Sequence, residues 1–198
     1  MHQLILLRHA KAVRGNAEGS DHDRELTPDG KRAAAAMGAA MRKLGLTPDV
    51  ILVSSALRTQ ETLDALEPWE DRPNIETNST LYMASFMQIR DLLRELPETV
   101  RSVLVIGHNP GIHELAQLLA SARPYAARPS AARPDAARPE ARTDAAPVAF
   151  MRLEEEYPTA SLVEFLIATP WHKLGPAGAS LQRFIQPADL PAATRNTV

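Results

Sequence analysis

Three short apolar runs, Gln3–Leu7, Val50–Val53 and Val103–Ile106, stand apart from one another along the chain, each ending abruptly in polar or charged residues. They are too short for helices and read as strands buried on both faces. Leu162–Ile167 and Leu181–Ile185 read as two further strands. Helical patterns separate the first three. Thr27-Pro28-Asp29 is a helix start, with Thr27 able to cap free amides and Pro28 suited to the first helical position. That helix runs through an alanine-rich stretch to about Leu44 and stops at Gly45. A second is expected over Leu57–Leu66, and a third opens at Ser85-Phe86-Met87-Gln88, which has capping-box spacing, and reaches about Leu96. A fourth runs from about Pro110 to Leu119. Strands alternating with helices of this length predict a three-layer α/β/α sandwich with a mostly parallel central sheet.

One segment breaks the pattern. From Ala126 the chain repeats Ala-Ala-Arg-Pro-X three times through Glu140, and Ala122-Arg123-Pro124-Tyr125 is a partial copy. A proline at every fifth position removes donors and clashes with the preceding turn, so no continuous helix forms. Little apolar area beyond alanine is present to offset the ordering entropy. Residues 121–146 are therefore expected to be an extended low-complexity insertion. It reads either as a solvated spacer or as an arginine-bearing contact for an acidic partner. The two later strands are too few for another core, so residues 1–198 are read as one domain.

Composition narrows the classes. No stretch approaches the ~20 apolar residues of a membrane-spanning helix, and the first apolar run is too short for a signal peptide and lacks a basic leader. The absence of cysteine excludes disulfides, thiolate catalysis and zinc–thiolate sites. A net charge of -2 gives no whole-protein attraction to nucleic acid or anionic membranes. The expectation is a cytoplasmic protein with neither as a partner. No heptad demands a second copy, so a monomer is assumed.

The chemistry gathers at strand ends. Arg8-His9 follows the first run, Ser54-Ser55-Ala56-Leu57-Arg58 the second and Gly107-His108-Asn109 the third. In an open α/β sheet the carboxyl ends of parallel strands share one edge, where ligands bind. If the three strands are neighbours, His9, His108, Arg8 and Arg58 converge on an electropositive hole without a matching set of acids. Such a hole demands a dianion, and phosphate fits its charge and fork geometry. The lack of paired carboxylates argues against a divalent cation, and two histidines without a third ligand make a poor zinc site. Taken singly, His108 also reads as a loop histidine bonded to backbone and Arg58 as a helix-surface charge; the joint pattern is what points to a site.

Leu7-Arg8-His9-Ala10 resembles the Arg-His-Gly signature of the histidine phosphatase superfamily, which contains the cofactor-dependent phosphoglycerate mutases. Alanine after the histidine is similar to the SixA-type phosphohistidine phosphatases. Asp23-Arg24-Glu25-Leu26-Thr27-Pro28-Asp29-Gly30, Ser54-Ser55-Ala56-Leu57-Arg58-Thr59-Gln60-Glu61-Thr62 and Val105-Ile106-Gly107-His108-Asn109-Pro110 resemble further motifs of that family, in order. Tyr157-Pro158-Thr159-Ala160 and Leu174-Gly175-Pro176 look like SixA-type features. The resemblance implies a phosphoglycerate mutase-like fold; neither a metal nor a cofactor is expected. It implies that His9 is a nucleophile that becomes phosphohistidine, with Arg8, Arg58 and His108 gripping the phosphate and Arg24 an additional phosphate-pocket arginine. Asn109 reads either as an orienting residue beside the phosphate or as a plain turn residue.

The chain departs from the wider family at the general acid. Many members that cleave esters place a glutamate after a Leu-Tyr pair, whereas Leu81-Tyr82 here precedes Met83-Ala84-Ser85. An alkoxide leaving group needs a proton donor worth about 10²–10⁴-fold in rate, and an imidazole departs with less help. The substrate expected is thus a phosphohistidine protein, with a small phosphorylated molecule as the alternative within the same fold. A phosphate-binding module without turnover is the alternative outside catalysis. Asp21, His22 and Asp23 are either a local proton source or a solvated loop.

Overall fold

The computed structural model describes residues 1–15, 19–69, 71–121 and 145–191. The expected Ala-Arg-Pro insertion lies outside the described residues except at its two ends. Six strands form one sheet: β1 (His2–Arg8), β2 (Val50–Ser54), β3 (Asn74–Asn78), β4 (Ser102–Gly107), β5 (Leu162–Ile167) and β6 (Ala179–Ile185). Their order is β3-β2-β4-β1-β5-β6. β3, β2, β4 and β1 pair in parallel, and β5 and β6 add antiparallel strands on the far side of β1. The three strands expected to carry chemistry are therefore consecutive neighbours, with β4 between β2 and β1.

The apolar runs are continuous because both faces of the sheet are covered. Ile5 and Leu7 join Met37 and Met41 of α1 (Pro28–Lys43) and Leu63 and Leu66 of α2 (Leu57–Leu66). Leu4 and Leu6 join Ile89 and Leu93 of α3 (Phe86–Arg94), Leu115 and Leu119 of α4 (Gly111–Ala120), and Leu153 of α5 (Ala145–Glu155). The expected caps form: Thr27 Oγ1 accepts from Gly30 N at 3.0 Å, and Ser85 and Gln88 close a capping box. No helix among the described residues is long and apolar enough to cross a membrane.

Two elements were not expected from the sequence. β3 is polar and mostly exposed, an edge strand held by pairing with β2 and not by an apolar face. α5 begins inside the span assigned to the insertion, where Pro147 and the alanine-rich composition obscure a helix that buries Ala149 and Leu153.

The segment after β1 rests directly on the first turn of α1. Thr27 N donates to Lys11 O at 2.8 Å, and a Cβ added at Gly30 would lie 2.1 Å from the same carbonyl oxygen. Gly30 therefore allows a close backbone approach. Gly30→Ala sets about 1 kcal/mol of better helix propensity against about 1–3 kcal/mol of overpacking on immobile backbone. The clash wins, so the variant is expected to show a lower denaturation midpoint in urea, with an unchanged slope.

Candidate active site

Each chemical residue sits where a strand hands over to the next element. Arg8 is the last residue of β1 and His9 follows it; Arg58 is the second residue of α2, reached through the turn after β2; His108 follows β4. They line one cavity of about 340 Å³ together with Lys11, Asp21, Arg24, Met83, Asn109 and Thr159. The convergence expected of His9, His108, Arg8 and Arg58 is thus present, and Arg24 and Asn109 reach the same cavity.

Backbone bonds fix His9. Its Nδ1 lies 2.8 Å from Ala10 O, a contact that a carbonyl makes only with a ring N–H. The proton is therefore on Nδ1, and Nε2 keeps its lone pair. Ala160 N donates to both Arg8 O and His9 O at 3.1 Å, from a left-handed backbone at φ 61°. Such a conformation costs an alanine about 1–2 kcal/mol, offset here by closing the strand end. Ala10 N donates to Thr62 Oγ1 at 3.0 Å, and that hydroxyl donates to Arg58 O at 2.6 Å, so one threonine couples the loop of His9 to the first turn of α2.

The histidine rings lie 5.1 Å apart. His108 Nε2 meets Ser54 Oγ at 2.8 Å. Burial pushes the pKa of His9 down to about 4, and the charges of Arg58, Arg8 and Arg24 push in the same direction against the Ala10 bond. Burial likewise pushes His108 down to about 3, with His9, Arg58 and Arg8 adding to it. Both rings are neutral at neutral pH.

Arg8 Nη1 and Asn109 Nδ2 both donate to Tyr157 O, at 2.8 and 3.1 Å. Tyr157 is buried and donates its own hydroxyl to Leu6 O at 2.7 Å. Asn109 thus helps fix the carbonyl that orients Arg8. Arg58 is buried and is no surface charge.

The cavity has no matching set of acids, as expected, but one acid does reach it. Asp21 lines the cavity at its rim, in a short 3-10 turn. Its Oδ1 accepts from Arg24 Nη1 at 2.7 Å, and its Oδ2 from Arg58 Nη2 at 3.0 Å and Tyr82 Oη at 2.9 Å. Its backbone carbonyl takes a second Arg58 bond at 2.6 Å. The bonds from Arg24, Tyr82 and Arg58 hold its carboxyl far below the usual carboxylate range. The same Asp21 contact raises the pKa of Tyr82, whose proton is directed at the carboxylate. The carboxylate carries no proton to give at neutral pH, and the Tyr82 proton is engaged by it. His22 packs on the Tyr82 ring and meets Ser55 Oγ, and Asp23 is exposed, as a solvated loop residue would be.

Lys11, Tyr82 and Thr159 were not singled out for roles by sequence reasoning. Tyr82 stood before the vacant acid position and Thr159 within a SixA-type motif, so position alone marked them. Among the described residues no group of three or more histidine, aspartate or glutamate side chains is placed to hold a metal ion.

The model of the histidine phosphatase superfamily (branch 1) matches residues 4–99. An uncharacterized chloroplastic protein of Arabidopsis thaliana is 32% identical over 130 residues, 61% of this chain and 60% of that protein, so the chain spans about three fifths of that relative's length. An uncharacterized protein of Mycobacterium tuberculosis is 29% identical over 186 residues, 91% of this chain and 99% of that protein. A solved structure from Nakamurella multipartitia, assigned as a phosphohistidine phosphatase SixA, is 30% identical with a TM-score of 0.72, covering 94% of this chain and 96% of that one. The three-layer arrangement is the phosphoglycerate mutase-like fold.

Because both histidines are held neutral, the unfolded chain binds more protons than the folded one below their ordinary pKa of 6.5. Their contribution is complete above that pH and is lost as pH falls through 6.5, ceasing to change below about 4 for His9 and about 3 for His108. The loss is expected to be at most on the order of 3 kcal/mol for His9 and about 5 kcal/mol for His108. Thermal melts at pH 7, 5.5 and 4 check this: the wild type should lose melting temperature steadily, and a His9→Asn/His108→Asn double variant should show a flatter profile.

Proposed function

The chain belongs to the histidine phosphatase superfamily; we propose that it is a phosphatase and takes the phosphoryl group of protein phosphohistidine onto Nε2 of its own His9. The observation that carries this reading is the charge inventory of the cavity: an unprotonated imidazole among arginines, with the one carboxylate of the lining ionised.

Nε2 of His9 attacks phosphorus while Ala10 O keeps the ring turned and its other nitrogen protonated. Arg8, Arg24, Arg58 and His108 hold the phosphoryl oxygens and neutralise the charge that spreads over them in the transition state. Water then attacks the phosphohistidine formed on His9 and returns the enzyme. Positioning and charge neutralisation suffice only where the leaving group departs readily. Met83 and Ala84 offer no acid after Tyr82, and the carboxylate that does line the cavity is ionised. Ester substrates forgo a contribution of about 10²–10⁴-fold from a general acid. A leaving imidazole needs far less help, which favours a phosphoramidate over a sugar phosphate. The likeness to a SixA-assigned structure at 30% identity supports the same choice. The cavity, at about 340 Å³, also has room for a small phosphorylated compound, which is the second reading.

The test is turnover of a chemically phosphorylated phosphohistidine protein and of 4-nitrophenyl phosphate by the wild type and by His9→Ala. The wild type is expected to favour the phosphohistidine protein in kcat/KM. His9→Ala is expected to lose at least about 10³-fold on both substrates, the scale of losing a nucleophile. Full turnover by His9→Ala would overturn the mechanism, and exclusive use of small esters would overturn the substrate.

A further inference from the structure

A phosphate site does not by itself explain Asp21. A carboxylate at the rim of a dianion site repels the ligand, yet this one is anchored on both oxygens by Arg24, Arg58 and Tyr82. An ionised carboxylate offers about four acceptor positions. Three are filled by those donors, and the side chain, half-exposed and lining the cavity, retains capacity for one more. A donor arriving with the substrate would satisfy it, and the bridging oxygen of an ester carries none.

Resting on the reading of the substrate as phosphohistidine, we infer that Asp21 accepts a hydrogen bond from the N–H on the far ring nitrogen of the substrate's phosphoimidazole and so selects phosphorylated imidazoles over phosphate esters. The substrate ring enters as the phosphoimidazolium, protonated on its far nitrogen, so the step balances without any proton transfer. The bond from His9 Nε2 to phosphorus forms, the bond from phosphorus to the substrate nitrogen breaks, and its electron pair stays on that nitrogen. The substrate ring departs as neutral imidazole, keeping its far N–H on Asp21. His9 keeps its own Nδ1–H on Ala10 O. Water then attacks phosphorus, Nε2 recovers its electron pair, and both protons of the water leave on the product phosphate. Asp21 thus does for the leaving imidazole what the Ala10 carbonyl does for the attacking one.

A purely structural Asp21, one that only orients Arg58 and Arg24, would affect every substrate alike. The experiment therefore reads a ratio, using the full chain, Asp21→Asn, and N-phosphorylimidazole beside 4-nitrophenyl phosphate, whose leaving group has no N–H. Asp21→Asn is expected to lower kcat/KM for N-phosphorylimidazole by about 10–100-fold, the range of a hydrogen bond to a charged group. Turnover of 4-nitrophenyl phosphate is expected to fall several-fold less, because it loses only the positioning of Arg24 and Arg58 and no bond to its leaving group. Asp21→Ala gives the same readout if the amide disturbs the loop. A parallel fall on both substrates, or an unchanged ratio, overturns the inference and leaves the phosphohistidine reading standing. A wild type that hydrolyses 4-nitrophenyl phosphate but neither N-phosphorylimidazole nor a phosphohistidine protein overturns both.

Discussion

Everything at this site depends on keeping one imidazole uncharged while surrounding it with guanidinium groups. A protonated His9 has no lone pair to offer phosphorus, and a neutral one in open water would be half-committed to protonation near its ordinary pKa. Burial at the end of β1 removes water, which disfavours the charged ring, and three arginines disfavour it further. In the proposed mechanism, the groups that attract the phosphate thereby also prepare the nucleophile. The Ala10 carbonyl works against this by favouring the protonated ring, yet it is what turns Nε2 outward. Burial outweighs it.

The fold maintains that arrangement chiefly through backbone. His9 lies between an amide from Ala160 and a loop seated on Gly30, with Thr62 joining that loop to Arg58. A second close approach holds the opposite wall, where a Cβ at Gly111 would lie 2.0 Å from Ala84 O. Met83, just before it, takes a left-handed φ of 52° and lines the cavity. The glycines and threonine in the sequence motifs are thus packing solutions that bring strand ends and helix starts to contact distance, and the charged side chains ride on them.

Much of this was legible in the sequence because the parallel strands are buried on both faces and write themselves as unbroken apolar runs. β1, β2 and β4 were placed within a residue or so of their observed ends, and their polar followers marked the site. β3 was illegible because a polar edge strand such as Asn74–Asn78 is specified by its pairing with β2 and carries no alternation of its own. α5 was hidden by the composition running into it. Asp21 was readable only as a loop acid, since nothing in Ser20-Asp21-His22-Asp23 distinguishes the carboxylate that turns inward from the one that stays in water. That difference is made by Arg24, Arg58 and Tyr82, which arrive from three separate stretches of the chain.

The position of Asp21 also changes how the missing acid is to be understood. An enzyme that cleaves esters must drive a proton onto a poor leaving group, and a carboxyl kept protonated for that work has to be shielded from cations. Here the carboxyl is bonded to two arginines, the opposite arrangement, and it cannot be converted into a donor without dismantling the phosphate grip itself. On the proposed function, an ionised Asp21 therefore favours substrates that bring their own proton or need none. Exchange of a phosphoryl group between two imidazoles meets that condition, because the bond broken and the bond formed are of one kind and the step is close to balanced in energy. What remains for the protein is alignment and charge, the two things that a buried strand edge ringed by arginines supplies.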